Sequence, residues 1–242
     1  MNALMIKCSR LALAVCACAL LCGPADAQEP NADALMKSLR QTATLQKNKD
    51  IKGQIRRRSV KIPFNISLRG ELMCFQYFQN NVWERFDLKF KEKGQELQYQ
   101  KDGKMVALPK AMYSTPIPET DITYEDLSMR FLYWPGARIL QESEATSTVK
   151  GRLCWIVQLK NPTPSLGQYA WVRVWVDKEN GGMWQIDGID ARGELAKRFL
   201  LTSVMKLKDG SWFFKQMKVE VRDTNDSRKT VSVNYIDMNS PE

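Results

Sequence analysis

The stretches LCWIVQL at 153–159 and YAWVRVWV at 169–176 decide the fold class. In the first, Leu153, Trp155, Val157 and Leu159 share one face; in the second, Tyr169, Trp171, Arg173 and Trp175 oppose Ala170, Val172, Val174 and Val176. Period two is the mark of a strand, because successive side chains leave a pleated backbone on opposite faces. Around these stretches stand residues that tolerate tight backbone: Glu179-Asn180-Gly181-Gly182, Asp190-Ala191-Arg192-Gly193, Lys208-Asp209-Gly210 and Thr224-Asn225-Asp226. Leu153 to Tyr235 therefore reads as a ladder of hairpins in one antiparallel sheet.

Working outward, strand periodicity recurs from Ile51, Gly53 and Ile55, through Phe64 to Arg69 and Glu71 to Phe78, and in Trp83 to Phe90, where Glu84, Phe86, Leu88 and Phe90 share a side. Lys91 to Gly94 and Lys101-Asp102-Gly103-Lys104 read as hairpin turns. Leu108 to Glu119 contains Pro109, Pro116 and Pro118, so it is no central strand and reads as a crossing connection. Two segments have helical spacing instead. Asn31 to Asn48 places Leu35, Leu39 and Ala43 on one stripe with Met36 beside them, and Asn31 or Asp33 caps it. Tyr124, Leu127 and Phe131 recur at i, i+3 and i+7 behind Asp121 or Thr123 as cap, which predicts a short helix ended before Pro135. Leu132-Tyr133-Trp134 follows as a loop rich in large apolar groups, either ordinary core or a lid over a cavity. The fold class is α+β, mostly antiparallel β, with about ten strands.

The first residues carry an export signal. Lys7 and Arg10 precede an apolar run from Leu11 to Leu21, and Ala25-Asp26-Ala27 supplies the small residues a signal peptidase requires. Residues 1–27 are read as the cleaved signal peptide and 28–242 as a single domain of the periplasm. The run falls short of the roughly 20 apolar residues of a bilayer span. Lipoprotein processing competes, since Cys16, Cys18 and Cys22 lie nearby, but Val15 and Leu21 precede Cys16 and Cys22 where a small residue is needed, and Val15-Cys16-Ala17-Cys18, closer to the pattern, would truncate the apolar run.

The signal also holds Cys8, so only Cys74 and Cys154 remain after it. Both fall in strand segments of an oxidising compartment, where one disulfide between them or two free thiols in separate strands are open alternatives. Beyond Ala27 there are 34 Lys and Arg against 26 Asp and Glu, a net charge of +8. Apart from Arg56-Arg57-Arg58 the basic residues alternate with apolar ones, as on a solvated outer sheet face, or one drawn to anionic headgroups or an acidic partner. Nucleic acid is not expected.

TYEDL at 123–127, KGRLCWIVQL at 150–159, YAWVRVWVDK at 169–178 and IDGIDARGELAK at 186–197 occur in this order in the family of outer-membrane lipoprotein-sorting proteins, so the chain resembles that LolA-like family from about Asp121 to Ile236. The resemblance implies an open, strongly curved LolA/LolB-like half-barrel. A helical lid covers its concave side, and the apolar cavity between them shields the acyl chains of a lipid or lipoprotein during transfer to the outer membrane. It also implies exchange with an envelope membrane transport complex, transient membrane-surface contact, a monomer and no cofactor.

On this reading the cavity wall comprises Trp155, Trp171, Trp175 and Trp184, with Phe86, Leu88 and Phe90 from the first half and Leu127, Phe131 and Trp134 from the lid. At about 0.8 kcal/mol per methylene, burying a 16-carbon chain yields on the order of 10 kcal/mol before association costs, so no polar site is required. An enzyme is not expected: with no histidine, Ser-His-Asp and Cys-His chemistry and most zinc sites are excluded. Asp187, Asp190 and Glu194, or Glu125 and Asp126, are the remaining carboxylate groupings. The alternative function is a periplasmic lipid- or peptide-sensing regulator of RseB type, which a second domain would distinguish.

Overall fold

In the computed structural model, residues 29–44, 48–91, 94–141, 145–206, 210 and 212–239 are described. The signal read at 1–27 lies outside them. Helix α1 (Ala32–Thr44) leads into strands β1 (Lys49–Arg57), β2 (Val60–Arg69), β3 (Leu72–Gln79), β4 (Val82–Lys91), β5 (Gly94–Lys101) and β6 (Lys104–Ala107). A connection bearing 3-10 turns at Lys110–Met112 and Arg130–Tyr133, and helix α2 (Tyr124–Ser128) between them, precedes β7 (Arg138–Leu140) and β8 (Thr148–Val149). Then come β9 (Arg152–Lys160), β10 (Trp171–Asp177), β11 (Met183–Ile189), β12 (Leu195–Lys206), β13 (Trp212–Arg222) and β14 (Thr230–Met238).

The sheet has 14 strands, not about ten. Part of the excess is β6, β7 and β8, of four, three and two residues, too short to display a period. Turn chemistry punctuates the ladder where both central residues take positive φ, at Asn80-Asn81, Asp102-Gly103 and Lys150-Gly151. The first helix is shorter than its spacing suggests: it is described to Thr44, and Asn48, at φ 56°, is already outside it.

Strand order is β6-β5-β4-β3-β2-β1-β14-β13-β12-β11-β10-β9-β7. Two meanders are joined where β1 pairs antiparallel with β14, and the sheet stays open, with β6 and β7 at its edges. The proline-rich connection expected at 108–119 is indeed a crossing. Residues 108–137 leave one edge strand, pass over one face of the sheet and enter the other edge strand, burying Leu108, Ile117, Ile122 and Phe131 on the way. That face, the inner one, carries the main core.

The inner face curves around this connection. Strands β4 and β12 are six steps apart, about 29 Å in a flat sheet at ~4.8 Å per step. Yet Tyr133 stacks on Phe90 of β4 with centroids 6.4 Å apart, and Phe131, two residues earlier, lies 6.3 Å from Phe199 of β12. The outer face is a ladder of paired charges and amides, among them Arg85–Asp87, Arg198–Asp187 and Lys218–Glu220 at 2.6–2.7 Å. The basic residues that alternate along the strands thus find their partners across or along the ladder.

Candidate functional site

The two ends of the covered face differ in kind. At the end bearing the β1–β2, β11–β12 and β13–β14 turns, α2 is fastened by a buried polar network. Thr123 caps α2 by accepting from the Asp126 N–H (3.2 Å), while the Thr123 N–H donates to Asp126 Oδ2 (2.9 Å), a reciprocal capping box legible in the TYEDL motif. Met129, at φ 45°, ends the helix in left-handed backbone. Asp126 also accepts from the Tyr169 hydroxyl (2.6 Å) and from Lys197 Nζ (2.7 Å), and Lys197 donates to the Asp121 carbonyl (2.6 Å). Both members of this ion pair are buried.

Glu125, fully buried, accepts from Arg130 (2.8 Å) and from the Gln168 N–H (2.7 Å); burial pushes its carboxyl up despite these donors. Asp121 goes the other way. Burial raises it, but hydrogen bonds from Ser232 and Asn234 and the Arg57 guanidinium outweigh burial and hold it below the ordinary carboxylate range. A side chain at Gly188 would collide with the Tyr169 ring, so glycine there is what lets the ring lie over β11 and reach Asp126.

These contacts explain why TYEDL, YAW and the IDGIDARGELAK segment stand out in the sequence: they are the two sides of one fastening. Of the carboxylate groupings noted in the sequence, Glu125 and Asp126 belong to this fastening. Asp187 pairs with Arg198, and Asp190 accepts from the N–H groups of Arg192 and Glu194.

The opposite end, with the β2–β3, β4–β5, β10–β11 and β12–β13 turns, is rimmed by apolar groups only partly covered. Leu68, Met73, Phe90, Met183, Met205, Phe213 and Phe214 pack on the margin of the main core, and Leu35 and Leu39 of α1 join them while Met36 is fully buried. Arg40 ties α1 to the crossing segment by donating to the Leu132 carbonyl (2.8 Å) and lying over the Tyr133 ring. Leu132 and Trp134 are buried, and the indole nitrogen of Trp134 has no hydrogen-bond partner among the described residues.

Of the residues proposed from sequence as a cavity wall, the structure brings Phe86, Leu88, Phe90, Leu127, Phe131 and Trp134 together on the inner face. Trp155 shares the inner-face register with Val157 and Leu159, half-buried at the rim end beneath Lys178. Trp171, Trp175 and Trp184 lie on the outer face. Trp171 pairs across the ladder with Lys160, whose ammonium sits 5.0 Å from its ring centre. Trp175 belongs to a second, smaller core with Leu140, Val149, Cys154 and Ile156, and donates to the Thr146 carbonyl (2.9 Å). A bulge makes Trp184 an extra residue between the pairs Trp175–Gln185 and Val176–Met183; its indole donates to Asp177 (3.1 Å) under Arg152. Tyr169 departs from the alternation in the opposite sense, its ring entering the main core apart from Trp171 and Trp175.

The inner aromatics fill the space next to one another: Phe75 stacks on Phe64 and Phe86 at 5.0 and 4.9 Å, and Phe86 meets Tyr124 edge-on at 5.6 Å. Cys74 and Cys154 are free thiols on β3 and β9, with seven strands between them, so no bridge joins them. Burial pushes both thiols up to about 11.

A family model described as "Uncharacterized protein" matches residues 91–241, well over half of the chain, and the chain belongs to that family. No curated protein matches. Solved structures with the same fold include a DUF1329 family protein from Desulfovibrio piger, at 15% identity and a TM-score of 0.63 over 88% of this chain and 93% of the other. A domain named for outer membrane lipoprotein sorting from Vibrio parahaemolyticus aligns at 13% identity and a TM-score of 0.66 over 88% and 93%. A LolA superfamily protein from Nitrosomonas europaea aligns at 12% and 0.65 over 88% and 94%. At these identities the likeness is one of fold, and it is the fold of the lipoprotein-sorting proteins that the motifs at 123–197 resemble.

Proposed function

We propose that this protein is a periplasmic carrier that holds the acyl chains of a lipid or lipoprotein between the inner face of a LolA-like half-barrel and its helical cover. The observation that carries the reading is the polarity of the covered face. One end is fastened by buried hydrogen bonds and an ion pair, whereas the other ends in an apolar rim of sheet residues beneath the amphipathic α1. An acyl chain enters at the rim and takes over the contacts that Leu35, Met36 and Leu39 make there, so that apolar surface is exchanged for apolar surface and little is exposed to water. The unpartnered Trp134 N–H supplies a donor for an ester or amide carbonyl on such a chain. The protein has no catalytic role in this reading, in which Glu125 and Asp126 work as fasteners.

The lipids that accompany the protein from its native envelope test this. Mass spectrometry of the protein purified without detergent is expected to show acylated species in stoichiometric amount, bound to a chain starting at Gln28. A folded protein that carries none, and takes none up when delipidated, would remove the carrier in favour of a protein-binding role.

A further inference from the structure

The adjoining ends of β12 and β13 carry apolar groups that the core does not absorb. Trp212, the first residue of β13, has 63% of its surface exposed, and Val204 of β12 has 37%. Behind them Met205, Phe213 and Phe214 pack on the margin of the main core, Met205 opposite Phe213 and Val204 opposite Phe214, with the two phenyl rings stacked at 4.9 Å. Apolar side chains therefore run from the margin of the core to solvent along these two strand ends. Lys206, which faces Trp212 across the ladder, is exposed, as is Lys215 three residues further along β13.

Each part of this arrangement suits the boundary of a bilayer. An indole is an apolar body with one polar N–H and settles where acyl chains meet headgroups. Flanking ammonium groups add attraction to anionic headgroups within a Debye length of the surface. We infer that the adjoining ends of β12 and β13 dock the rim end of the protein onto an anionic lipid surface, with Trp212 and Val204 entering the headgroup boundary and Lys206 and Lys215 lying against its phosphates. The inference deepens the carrier reading, on which its purpose rests: docking here brings the apolar rim to the membrane, so that an acyl chain leaves the bilayer without crossing water. A second exposed aromatic, Trp83 on the outer face at the opposite end, packs on Phe78 and is followed by the exposed Glu84; it serves as the control.

The test is co-sedimentation of the delipidated protein with phosphatidylcholine vesicles, with and without phosphatidylglycerol, at low and high salt. Binding is expected only to the anionic vesicles, to weaken with salt, and to fall about tenfold in Trp212→Ser and in the double variant Lys206→Glu/Lys215→Glu. Trp83→Ser is expected to bind like the parent. All variants are checked for the parent's circular dichroism. Equal binding by Trp212→Ser and the parent, loss with Trp83→Ser instead, or no sedimentation of the folded parent with anionic vesicles would each overturn the inference. Uptake of a fluorescent fatty acid in vesicle-free solution separates the two readings. If Trp212→Ser keeps that uptake but loses the vesicles, docking and carriage both stand. If the parent binds vesicles through Trp212 but takes up no fatty acid, docking stands and the carrier falls.

Discussion

Lys197 is the residue on which the fastened end depends most. Its ammonium is buried, and it neutralises Asp126 while holding the Asp121 carbonyl, so two segments of the crossing connection meet on one side chain. A buried ion pair contributes little net energy against an apolar substitute, but removing one partner leaves a charge without water or counter-ion. Lys197→Met is therefore expected to lower unfolding free energy by about 3–5 kcal/mol in urea titration, and Asp126→Asn in the same chain to recover part of it. A Lys197→Met protein as stable as the parent would show that Asp126 is satisfied by Tyr169 and its own helix alone. None of this was legible beforehand: the motif residues 123–127 and 186–197 stood out as a pattern, but alternation along a strand says nothing about which lysine meets which helix. The missed signal was Gly188, a glycine inside an apolar strand, which marks the close approach of another group.

At the scale of elements, alternation separates the two faces of a regular strand but does not say which one turns inward: Val157 and Leu159 face the main core as expected, whereas in β10 it is Val172, Val174 and Val176 that do, and Trp171 and Trp175, taken for cavity wall, lie outside. Further departures come where the period breaks. The bulge at Trp184 moves its side chain to the outer face, and Tyr169 stands two residues before the regular strand, so both escape a rule that assumes unbroken pleating. Tryptophan on a sheet is equally at home beneath a lysine or an arginine on the outer side, which is why Trp171 and Trp184 looked like cavity wall.

The crossing element also sets a pH response. Asp121 anchors it to β1 and β14, and its carboxyl is held below its ordinary value of 3.8. A group with a depressed folded pKa stabilises fully above the unfolded value and loses that contribution as pH falls through the folded one. Asp121→Asn is thus expected to cost stability at pH 7, by about 1–3 kcal/mol because Arg57 loses its carboxylate and keeps only the Ser232 hydroxyl, and to flatten the decline of stability as pH falls below 3.8. Parallel urea titrations of parent and variant check this. An unchanged slope would mean that Asp121 is not held low in the folded protein.

For the whole molecule, the antiparallel pairing and two helical segments were legible in the periods of the sequence, the open sheet with a helical cover was what the family resemblance implied, and the strand total was not legible. What no period could reveal is how the sheet wraps its connection, because that follows from contacts between strands six places apart, such as those made by Tyr133 and Phe131. The resulting asymmetry, one end fastened and one end rimmed, is the centre of the account. Its most direct test is the binding of a fluorescent fatty acid to the delipidated protein and to two variants. Saturable binding is predicted, weakened about tenfold or more by Phe90→Asp at the rim and unchanged by Trp171→Asp on the outer face, with both variants folded by circular dichroism. No saturable binding by the folded parent, or a loss caused by Trp171→Asp and not by Phe90→Asp, would contradict the account.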